Sequence, residues 1–456
     1  MKCMKTYPVT DNIKQFASVF KENGFSLYIV GGAVRDFLLG IKSSDYDFCT
    51  DALPEQVMSM FRKVIPTGIK HGTVTVLFKK ESFEVTTFRT EGAYSDQRHP
   101  DSVTFMSNLQ EDLSRRDFTV NAFAANCLDG QIIDLFDGYK DLKDKVIRAI
   151  GDPLKRFEED ALRMMRLARF CSKLGFSADS KTKEAATKLC ENIKAVSNER
   201  IFDELSKTLM SAKPTVGLKI MEDTGILAHI LPEVQRCRDT EQTKVGSDNV
   251  LDHIYNCVDA AASLNYSLTV RLAALLHDIA KPVTMTVNQY GFLRFYSHDV
   301  KSAEMAKEVM KRLKCSNKMI DDVSIIIANH MVRYNDNWTD GAVKRFICRI
   351  GKENINNLFE LQWSDQIASE GRAKVEEYDP LINRIKQLEN EPMSIKDLAV
   401  NGEDLAKIGI PKSKEMGEIL SKLLEMVIDY PTLNEKQTLL DQAMRIRSAS
   451  DSQEQA

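Results

Sequence analysis

Hydrophobic and polar residues follow different patterns in the two parts of the chain. In the first 150 residues, short apolar runs such as Leu27 to Val30, Thr73 to Phe78 and Phe83 to Phe88 are typical of strands. Residues 11 to 23 instead have the spacing of an amphipathic helix. Beyond that region the apolar residues recur mainly with helical spacing, up to a polar C-terminal end. The pattern predicts an α+β protein with an N-terminal mixed sheet and a helical remainder.

Residues 27 to 50 combine a predicted strand, a Gly31-Gly32 turn, a short helix and a second strand. The glycines can adopt a positive φ and let a ligand approach the backbone, and the turn opens onto a helix N-terminus, which favours anions. Asp45 and Asp47 are two residues apart, so on a strand both carboxylates face the same side. Mg²⁺ is usually held by one or two carboxylates with substrate phosphates. Together these pieces predict a phosphoryl-transfer site, although each alone also fits a simple turn or a solvated strand end.

Further polar candidates follow in the N-terminal region. Glu84, between Phe83 and Val85, can supply a third carboxylate to the metal or can be an ordinary edge-strand charge. The segment from 111 to 121 offers donors and acceptors for the phosphates and ribose of a nucleotide. Its candidates are Arg115, Arg116, Asp117 and Asn121.

A predicted helix from Phe157 to Phe170 carries Asp160 and Arg163 three residues apart, so their side chains are expected to be neighbours. Cytosine and adenine present an amine beside a ring-nitrogen acceptor, whereas uracil and guanine present a carbonyl beside an N–H donor. A fixed carboxylate next to a guanidinium therefore matches C and A but mismatches U and G. The same spacing also fits salt bridges on a helix surface.

Composition and charge narrow the classes of function. The chain has 456 residues, and no apolar run approaches the roughly 18 residues of a membrane span. Its nine cysteines are scattered and contain no Cys-x-x-Cys, so neither a disulfide framework nor a thiolate zinc site is indicated. The formal net charge of −4 means that any RNA contact must come from local basic patches. We expect a cytoplasmic protein.

Three motifs occur in an order that resembles one family. They are Gly-Gly-x-Val-Arg-Asp-x-Leu-Leu-Gly with Asp-x-Asp, then Arg-Arg-Asp-Phe-Thr-x-Asn-Ala, then Glu-Asp-x-x-Arg. This order resembles class II tRNA CCA-adding enzymes and bacterial poly(A) polymerases. The resemblance implies a polymerase-β-like nucleotidyltransferase head with a mixed sheet, followed by an all-helical neck, an HD-containing body and a tail. The predicted boundaries are 1–150 for the head, 151–240 for the neck with the base-selecting helix and RNA-binding region, 245–370 for the HD domain, and 371–456 for the body and tail.

The resemblance also implies roles for individual residues. Asp45, Asp47 and Glu84 would be catalytic, with Asp45 and Asp47 as Mg²⁺ ligands. The implied nucleotide-binding residues are Gly31, Gly32, Arg35, Arg115, Arg116, Asp117, Asn121, Asp160, Arg163, Arg166 and Arg169. A polar loop at residues 91 to 100 corresponds to a family segment that is needed for the final A addition, which argues against CC-only activity.

The helical remainder contains a second group of candidate metal ligands. Histidine and carboxylate ligands suit a transition metal, and an adjacent His-Asp can bind one ion or bridge two, although a lone histidine is more often a surface or core residue. The spacing of these residues resembles an HD phosphohydrolase domain and implies a site for Mn²⁺, Ni²⁺ or Mg²⁺. The implied ligands are His253, His277, Asp278 and Asp365, with His298 and His330 nearby.

The leading hypothesis is a CCA-adding nucleotidyltransferase that uses CTP, ATP and tRNA. An A-adding tRNA nucleotidyltransferase and a poly(A) polymerase share the head motifs, so both remain open. A third alternative is an HD phosphohydrolase with a retired transferase domain. The sequence leaves the oligomeric state undetermined.

Overall fold

The structure is a computed structural model that describes residues 6–42, 46–69, 72–91, 103–105, 108–244, 246–335 and 337–454. The predicted metal ligand Asp45 and residues 92–100 of the polar loop lie outside these ranges. The chain divides into two compact units, Met1–Arg236 with Val309–Cys315 and Cys237–Glu308 with Ser316–Ala456. The four domain boundaries given above stay predictions.

Strands and short helices alternate up to residue 150. The strands are β1 (Leu27–Val30), β2 (Asp47–Thr50), β3 (Val64–Gly68), β4 (Thr73–Phe78), β5 (Glu81–Thr87), β6 (Arg89–Glu91), β7 (Val103–Phe105), β8 (Phe123–Asn126), β9 (Ile132–Asp134) and β10 (Val146–Ile147). The helices are α1 (Asp11–Glu22), α2 (Gly32–Leu38), α3 (Pro54–Met60), α4 (Leu109–Ser114) and α5 (Gly138–Asp144), with a 3₁₀ turn at Thr119–Asn121.

Seven of these strands form one mixed sheet in the order β3-β4-β5-β2-β1-β8-β9. Only β2 and β5 run parallel, and the other neighbouring pairs are antiparallel. Phe16 of α1 packs against Phe48 and Phe83, with ring centroids 5.8 and 4.7 Å away. Since side chains alternate along a strand, Asp47 and Glu84, each next to one of these phenylalanines, point to the opposite face. The hydrophobic core on one face therefore leaves both carboxylates on the other.

Helices dominate the rest of the first unit. They are α6 (Pro153–Glu159), α7 (Leu162–Leu174), α8 (Ser180–Lys188), α9 (Asn198–Leu209), α10 (Pro214–Asp223), α11 (Ile226–Ile230) and α12 (Pro232–Gln235), with a 3₁₀ turn at Cys190–Ala195. A further 3₁₀ turn at Arg236–Asp239 follows where the second unit begins. The strand β11 (Ser177–Ala178) pairs with β10 in parallel.

The prediction of one continuous helix from Phe157 to Phe170 is wrong. The α6 helix ends at Glu159, Asp160 adopts an extended conformation, and α7 begins at Leu162. The Asp160 carboxylate accepts the backbone N–H of Leu162 at 3.1 Å, a local bond that competes with helix continuation. Asp160 and Arg163 therefore belong to a turn and a helix, not to neighbouring turns of one helix.

The remaining chain is helical apart from two hairpins, β12 (Glu241–Lys244) with β13 (Ser247–Asn249) and β14 (Met285–Val287) with β15 (Leu293–Phe295). Its helices are α13 (Val250–Ser263), α14 (Leu268–Leu276), α15 (Lys281–Thr284), α16 (His298–Arg312), α17 (Asn317–Asn329), α18 (Asp340–Ile350), α19 (Ile355–Glu370), α20 (Asp379–Gln387), α21 (Gly402–Lys407), α22 (Lys414–Asp429) and α23 (Lys436–Glu454). Short 3₁₀ turns lie at Lys352–Asn354, Val375–Glu377, Ile395–Asp397 and Pro431–Leu433.

The predicted α+β class, with a mixed sheet followed by a mostly helical chain, is confirmed. The two hairpins show that the part predicted as all-helical also contains short strands. Among the described helices, none is both long and apolar enough to cross a membrane.

Candidate active site and a second metal-ligand cluster

Two predicted catalytic carboxylates meet across the parallel strand pair. Asp47, the first residue of β2, is the register partner of Glu84 on β5 and of Val30 on β1. Register partners in a sheet carry their side chains on the same face. Both carboxylates also line one cleft of about 670 Å³. Their oxygen atoms are the donors that Mg²⁺ prefers, so these two residues fit a divalent metal.

The glycine turn lies beneath two guanidinium groups. Gly31 has a φ of 69°, and its N–H donates to Phe123 O at 3.1 Å. A Cβ atom on Gly31 would lie 3.0 Å from Arg116 Nη1, and one on Gly32 would lie 3.5 Å from Arg35 Nη2. Only glycine combines this conformation with so close an approach. The two cationic side chains beside the turn suit a phosphate group.

The paired arginines of the second motif are oriented by a buried carboxylate. Arg115 donates through Nη2 to Asp112 Oδ1 at 2.8 Å, and Arg116 donates through Nη2 to Asp112 Oδ2 at 3.4 Å. Both arginines follow α4, in which Ser114 is the last residue. Asp112 was not among the sequence candidates, but its place three and four residues before the arginines was a usable signal.

Asp117 and Asn121 connect the glycine turn to the α7 helix. Arg35 Nη1 donates to Asn121 Oδ1 at 2.6 Å, and Asn121 Nδ2 donates to Asp117 Oδ1 at 3.0 Å. Arg166 then donates to Asp117 Oδ2 through Nε at 2.8 Å and Nη2 at 2.6 Å. Four predicted nucleotide-binding residues thus form one hydrogen-bonded chain.

Burial alone would raise the pKa of Asp117, but Arg166 and hydrogen bonds from Asn121 and the Phe118 N–H hold that pKa below its ordinary value. The charge of Arg166 is stabilised in turn, since Asp117 and Glu204 outweigh the effect of burial and raise its pKa. The site therefore keeps a paired carboxylate and guanidinium at neutral pH.

Replacing Asp117 by alanine is expected to destabilise the first unit by about 3 kcal/mol, because Arg166 and Asn121 lose a buried partner. The folded pKa of Asp117 lies below the unfolded value of about 3.9, so the stabilisation is present above that pH and is lost as the pH falls through the folded pKa. Melting temperatures of the wild type and D117A should therefore converge as the pH falls below about 4. The exposed Asp144→Ala change is the control, and a pH-independent gap would contradict the assignment.

Asp160 and Arg163 lie close in sequence, but each has a different partner. Asp160 Oδ2 accepts from Arg200 Nη2 at 2.7 Å. Arg163 Nη1 donates to Glu159 Oε2 at 2.5 Å, and its Nη2 donates to the Arg115 carbonyl at 3.1 Å. The two predicted base-reading residues are thus held by separate partners within the protein.

Glu204 of α9 was missed by the sequence reasoning and is buried beside two predicted residues. Arg169 Nε donates to Glu204 Oε2 at 2.5 Å, and Arg166 Nη1 lies 3.7 Å from Glu204 Oε1. The guanidinium of Arg169 also lies over the Phe170 ring, 4.3 Å from its centroid. Glu204 is 35 residues or more from these arginines, so no local spacing pointed to the contact.

The second group of candidate ligands forms a compact buried cluster within the second unit. His253 Nε2 lies 3.3 Å from His277 Nε2, 3.3 Å from Asp278 Oδ2 and 3.1 Å from Asp365 Oδ1. His298 Nε2 lies 3.4 Å from Asp278 Oδ1. Two overlapping sets within the described residues have a metal-binding arrangement, namely His253, His277 and Asp365, and His277, Asp278 and His330.

Backbone carbonyls orient three of the four histidines. The Nδ1 atoms of His277, His298 and His330 lie 2.9, 2.7 and 2.7 Å from the carbonyls of Ala274, Phe295 and Ile327. An Nδ1–H bond of this kind leaves the Nε2 lone pair available as a metal ligand. Burial, reinforced by His277, lowers the pKa of His330 to about 4, which favours the neutral form that binds metals. Neutral imidazoles beside two carboxylates fit a divalent transition metal.

Cationic side chains surround this cluster. Lys281 Nζ lies 2.6 Å from Asp278 Oδ2, and Lys244 Nζ lies 3.5 Å from Asp365 Oδ1. A cleft of about 460 Å³ is lined by both lysines, by Arg294 and by ligands of the cluster. Opposing charges hold the pKa of Asp278 well below its ordinary value despite burial, with His277 and Lys281 as the main causes. The cleft can therefore receive an anion next to a metal.

Three family models match successive parts of the chain. Residues 27–148 match the poly A polymerase head domain, residues 175–237 match the probable RNA and SrmB-binding site of polymerase A, and residues 293–443 match the putative tRNA nucleotidyltransferase domain 2. The predicted nucleotidyltransferase head is thereby confirmed. The HD assignment of the second unit stays a prediction.

Curated relatives resemble the chain over nearly its full length. It is 37% identical to a CCA-adding enzyme of Lactobacillus helveticus over 90% of each chain. A CCA-adding enzyme of Anoxybacillus flavithermus is 35% identical over 96% of this chain and 98% of the relative. The crystal structure of the Bacillus stearothermophilus CCA-adding enzyme in complex with CTP superposes with a TM-score of 0.73 at 29% identity, covering 99% of this chain and all of the other.

Proposed function

We propose, from the premise that this chain belongs to the family of CCA-adding enzymes, that it adds CMP, CMP and AMP to the 3′ end of tRNA. The substrates are CTP, ATP and tRNA, and pyrophosphate is released. The observation that carries this proposal is the register of Asp47 opposite Glu84, next to a glycine turn flanked by two guanidiniums. This arrangement suits attack on a nucleoside triphosphate rather than simple binding of RNA.

Nucleotidyltransferases of this kind use a divalent metal, and we infer that it is Mg²⁺ held by Asp47, Glu84 and Asp45. When bound, the metal activates the tRNA 3′-hydroxyl and stabilises charge on the phosphates. Arg35 and Arg116, beside the glycine turn, bind the triphosphate.

The other predicted residues of the first unit have complementary roles. Asp117 and Asn121 orient the ribose. Asp160 accepts the amine of cytosine or adenine, and Arg163 donates to the ring nitrogen. Arg166 and Arg169 keep this region in place through Asp117 and Glu204. The four predicted domain boundaries and a cytoplasmic location are part of the same proposal.

Primer extension tests the reaction directly. Three tRNA transcripts, ending before CCA, after C and after CC, receive CTP, ATP or both. Stepwise addition on all three that stops after one A is the expected result. Addition only to the transcript ending in CC would make the protein an A-adding enzyme, and long A tails would make it a poly(A) polymerase.

The buried His-Asp cluster favours a second activity, metal-dependent hydrolysis of phosphate esters at an HD-type site. The supporting observation is that Nε2 atoms and carboxylates converge within hydrogen-bonding distance next to Lys281. Two buried carboxylates among four buried histidines serve no evident packing purpose, whereas a divalent metal would use His277 with either of two sets of neighbours as ligands. We propose Mn²⁺, Ni²⁺ or Mg²⁺ as the ion.

Replacing His277 by alanine is expected to remove the metal from this site, since His277 belongs to both candidate ligand sets. Loss of one ligand should weaken metal binding at least about tenfold. Equilibrium dialysis with Mn²⁺ and Ni²⁺, followed by elemental analysis, measures this, and hydrolysis of 2′,3′-cyclic nucleotides reports the activity. His229→Ala, outside the cluster, is the control. Equal metal content in the wild type and H277A would refute the second site and leave tRNA extension unaffected.

A further inference from the structure

The β14–β15 hairpin beside the His-Asp cluster exposes three aromatic rings to solvent. Tyr290 is 72% exposed, Phe292 62% and Tyr296 69%. The hairpin is a two-stranded sheet, so it has no further strand beside it to shield these rings. Large apolar side chains grouped in solvent next to a cleft are typical of a binding surface. The hairpin is therefore a candidate ligand-binding surface of the second unit.

The end of β15 brings one of these rings to the cleft at the His-Asp cluster. Tyr296 lines that cleft together with Phe295 and the cluster residue His298. The Phe295 carbonyl lies 2.7 Å from His298 Nδ1, so the strand also orients this histidine. Between Tyr296 and His298, Ser297 has a φ of 55°, a left-handed conformation that is uncommon for a residue with a side chain and is concentrated at functional sites. The turn thus places an exposed aromatic ring and a candidate metal ligand on the same cleft.

Two guanidinium groups of this cleft have no carboxylate partner among the described residues. They belong to Arg294 of β15 and to Arg333, which follows α17. Arg294 Nη1 donates to the Leu293 carbonyl at 3.4 Å, and Arg333 Nη1 donates to the His330 carbonyl at 3.2 Å. The two lysines of the cleft, in contrast, already contact carboxylates of the cluster. The guanidiniums can therefore bind phosphates without giving up an ion pair.

Aromatic rings interleaved with a guanidinium suit a single-stranded nucleic acid. Such strands bind by stacking their bases on aromatic side chains and by contacts between their phosphates and cations. Phe292, Arg294 and Tyr296 succeed one another at intervals of two residues, the spacing of one strand face. This order of ring, cation and ring matches two bases with a phosphate between them. A free nucleotide would use one ring only, so the pattern favours an RNA end.

We propose that the β14–β15 hairpin binds the end of a single-stranded RNA at the His-Asp cluster. Tyr296 stacks on the terminal base, Arg294 binds the adjacent phosphate, and Phe292 stacks on the next base. The inference rests on the proposed hydrolysis of phosphate esters at this cluster, for which it names an RNA end as the substrate.

The test is the affinity of the full-length protein for a short unstructured RNA labelled at its 5′ end. Fluorescence anisotropy is measured in EDTA, so that no metal contributes to binding. Tyr296→Ala is expected to raise the Kd at least about fivefold, because one stacked base is lost, whereas the aromatic Tyr296→Phe keeps the wild-type Kd. Tyr290→Ala is the matched control, since Tyr290 is equally exposed on the same hairpin but is not among the residues that line the cleft. Wild-type affinity in Y296A would overturn the proposal.

Photocrosslinking separates this surface from any RNA site in the first unit. An RNA with a 3′-terminal 5-iodouridine is irradiated on the protein, and the crosslinked peptide is identified by mass spectrometry. A crosslink to the hairpin is the expected result, and crosslinks confined to the first unit would contradict it. Equal affinity for AMP and for the RNA would make the hairpin a mononucleotide site. A wild-type dimer that Y290A and Y296A both dissociate would make it an interface between copies of this chain.

Metal content distinguishes a failure of this inference from a failure of its premise. A wild-type protein that retains no Mn²⁺ or Ni²⁺ in equilibrium dialysis would refute the hydrolytic site, even where RNA binding depends on Tyr296. A Y296A protein that binds both metal and RNA like the wild type would refute only the role of the hairpin.

Discussion

Replacing Asp47 by alanine is expected to lower the rate of nucleotide addition by about 10³-fold or more. Asp47 is the described carboxylate that lies directly across from Glu84, and removing it deprives the metal of a ligand and the reaction of its charge stabilisation. The measurement is incorporation of labelled CMP into a tRNA transcript that ends before CCA, under saturating CTP. Glu84→Ala is expected to cause a loss of the same kind.

Glu81→Ala is the matched control for this experiment. Glu81 lies on the same strand and lines the same cleft, but its register partner is Phe78 instead of Asp47. It should retain nearly full activity and the same melting temperature. Activity above a tenth of the wild-type level in D47A would show that the catalytic metal is held elsewhere, whatever the outcome for the base-reading residues.

Replacing Asp160 by alanine is expected to change which nucleotide is added while leaving metal binding intact. Sites whose buried polar groups are left unpaired by the wrong substrate can reject it by roughly 10⁴-fold. Without the carboxylate, no acceptor remains for the amine of C or A, and U and G are no longer penalised by a facing carbonyl and carboxylate. Discrimination of CTP over UTP and of ATP over GTP should therefore fall to about tenfold or less.

Competition assays with mixed nucleotides measure this ratio without depending on the absolute rate. Glu158→Ala is the control, because Glu158 is an exposed carboxylate on α6 two residues before Asp160. It should keep the wild-type ratio. Retention of full selectivity in D160A would assign base reading to other residues.

Short-range sequence patterns predicted much of the secondary structure in the N-terminal region of this protein. The apolar run of β1, the glycine turn and the α2 helix occur where the local spacing indicated them, as do the boundaries of β4. These elements depend on residues within a few positions of each other, which periodicity and turn chemistry can resolve. The same approach erred at Asp160, where a helical pattern continues through an extended residue that follows α6 and whose side chain accepts the backbone N–H of Leu162, the first residue of α7.

Motifs and spacing were thus sufficient to identify the family, to predict the α+β class and to select candidate residues, because each of these depends on local sequence. Only the tertiary structure decided how those candidates combine. The register of β2 with β5 brings Asp47 opposite Glu84, and packing of α9 supplies Arg200 and Glu204 from 35 or more residues away. The second cluster likewise gathers its ligands from α13 and α19 and from the residues that follow α14 and α17. Such contacts arise from long-range packing, for which one sequence carries no local periodicity.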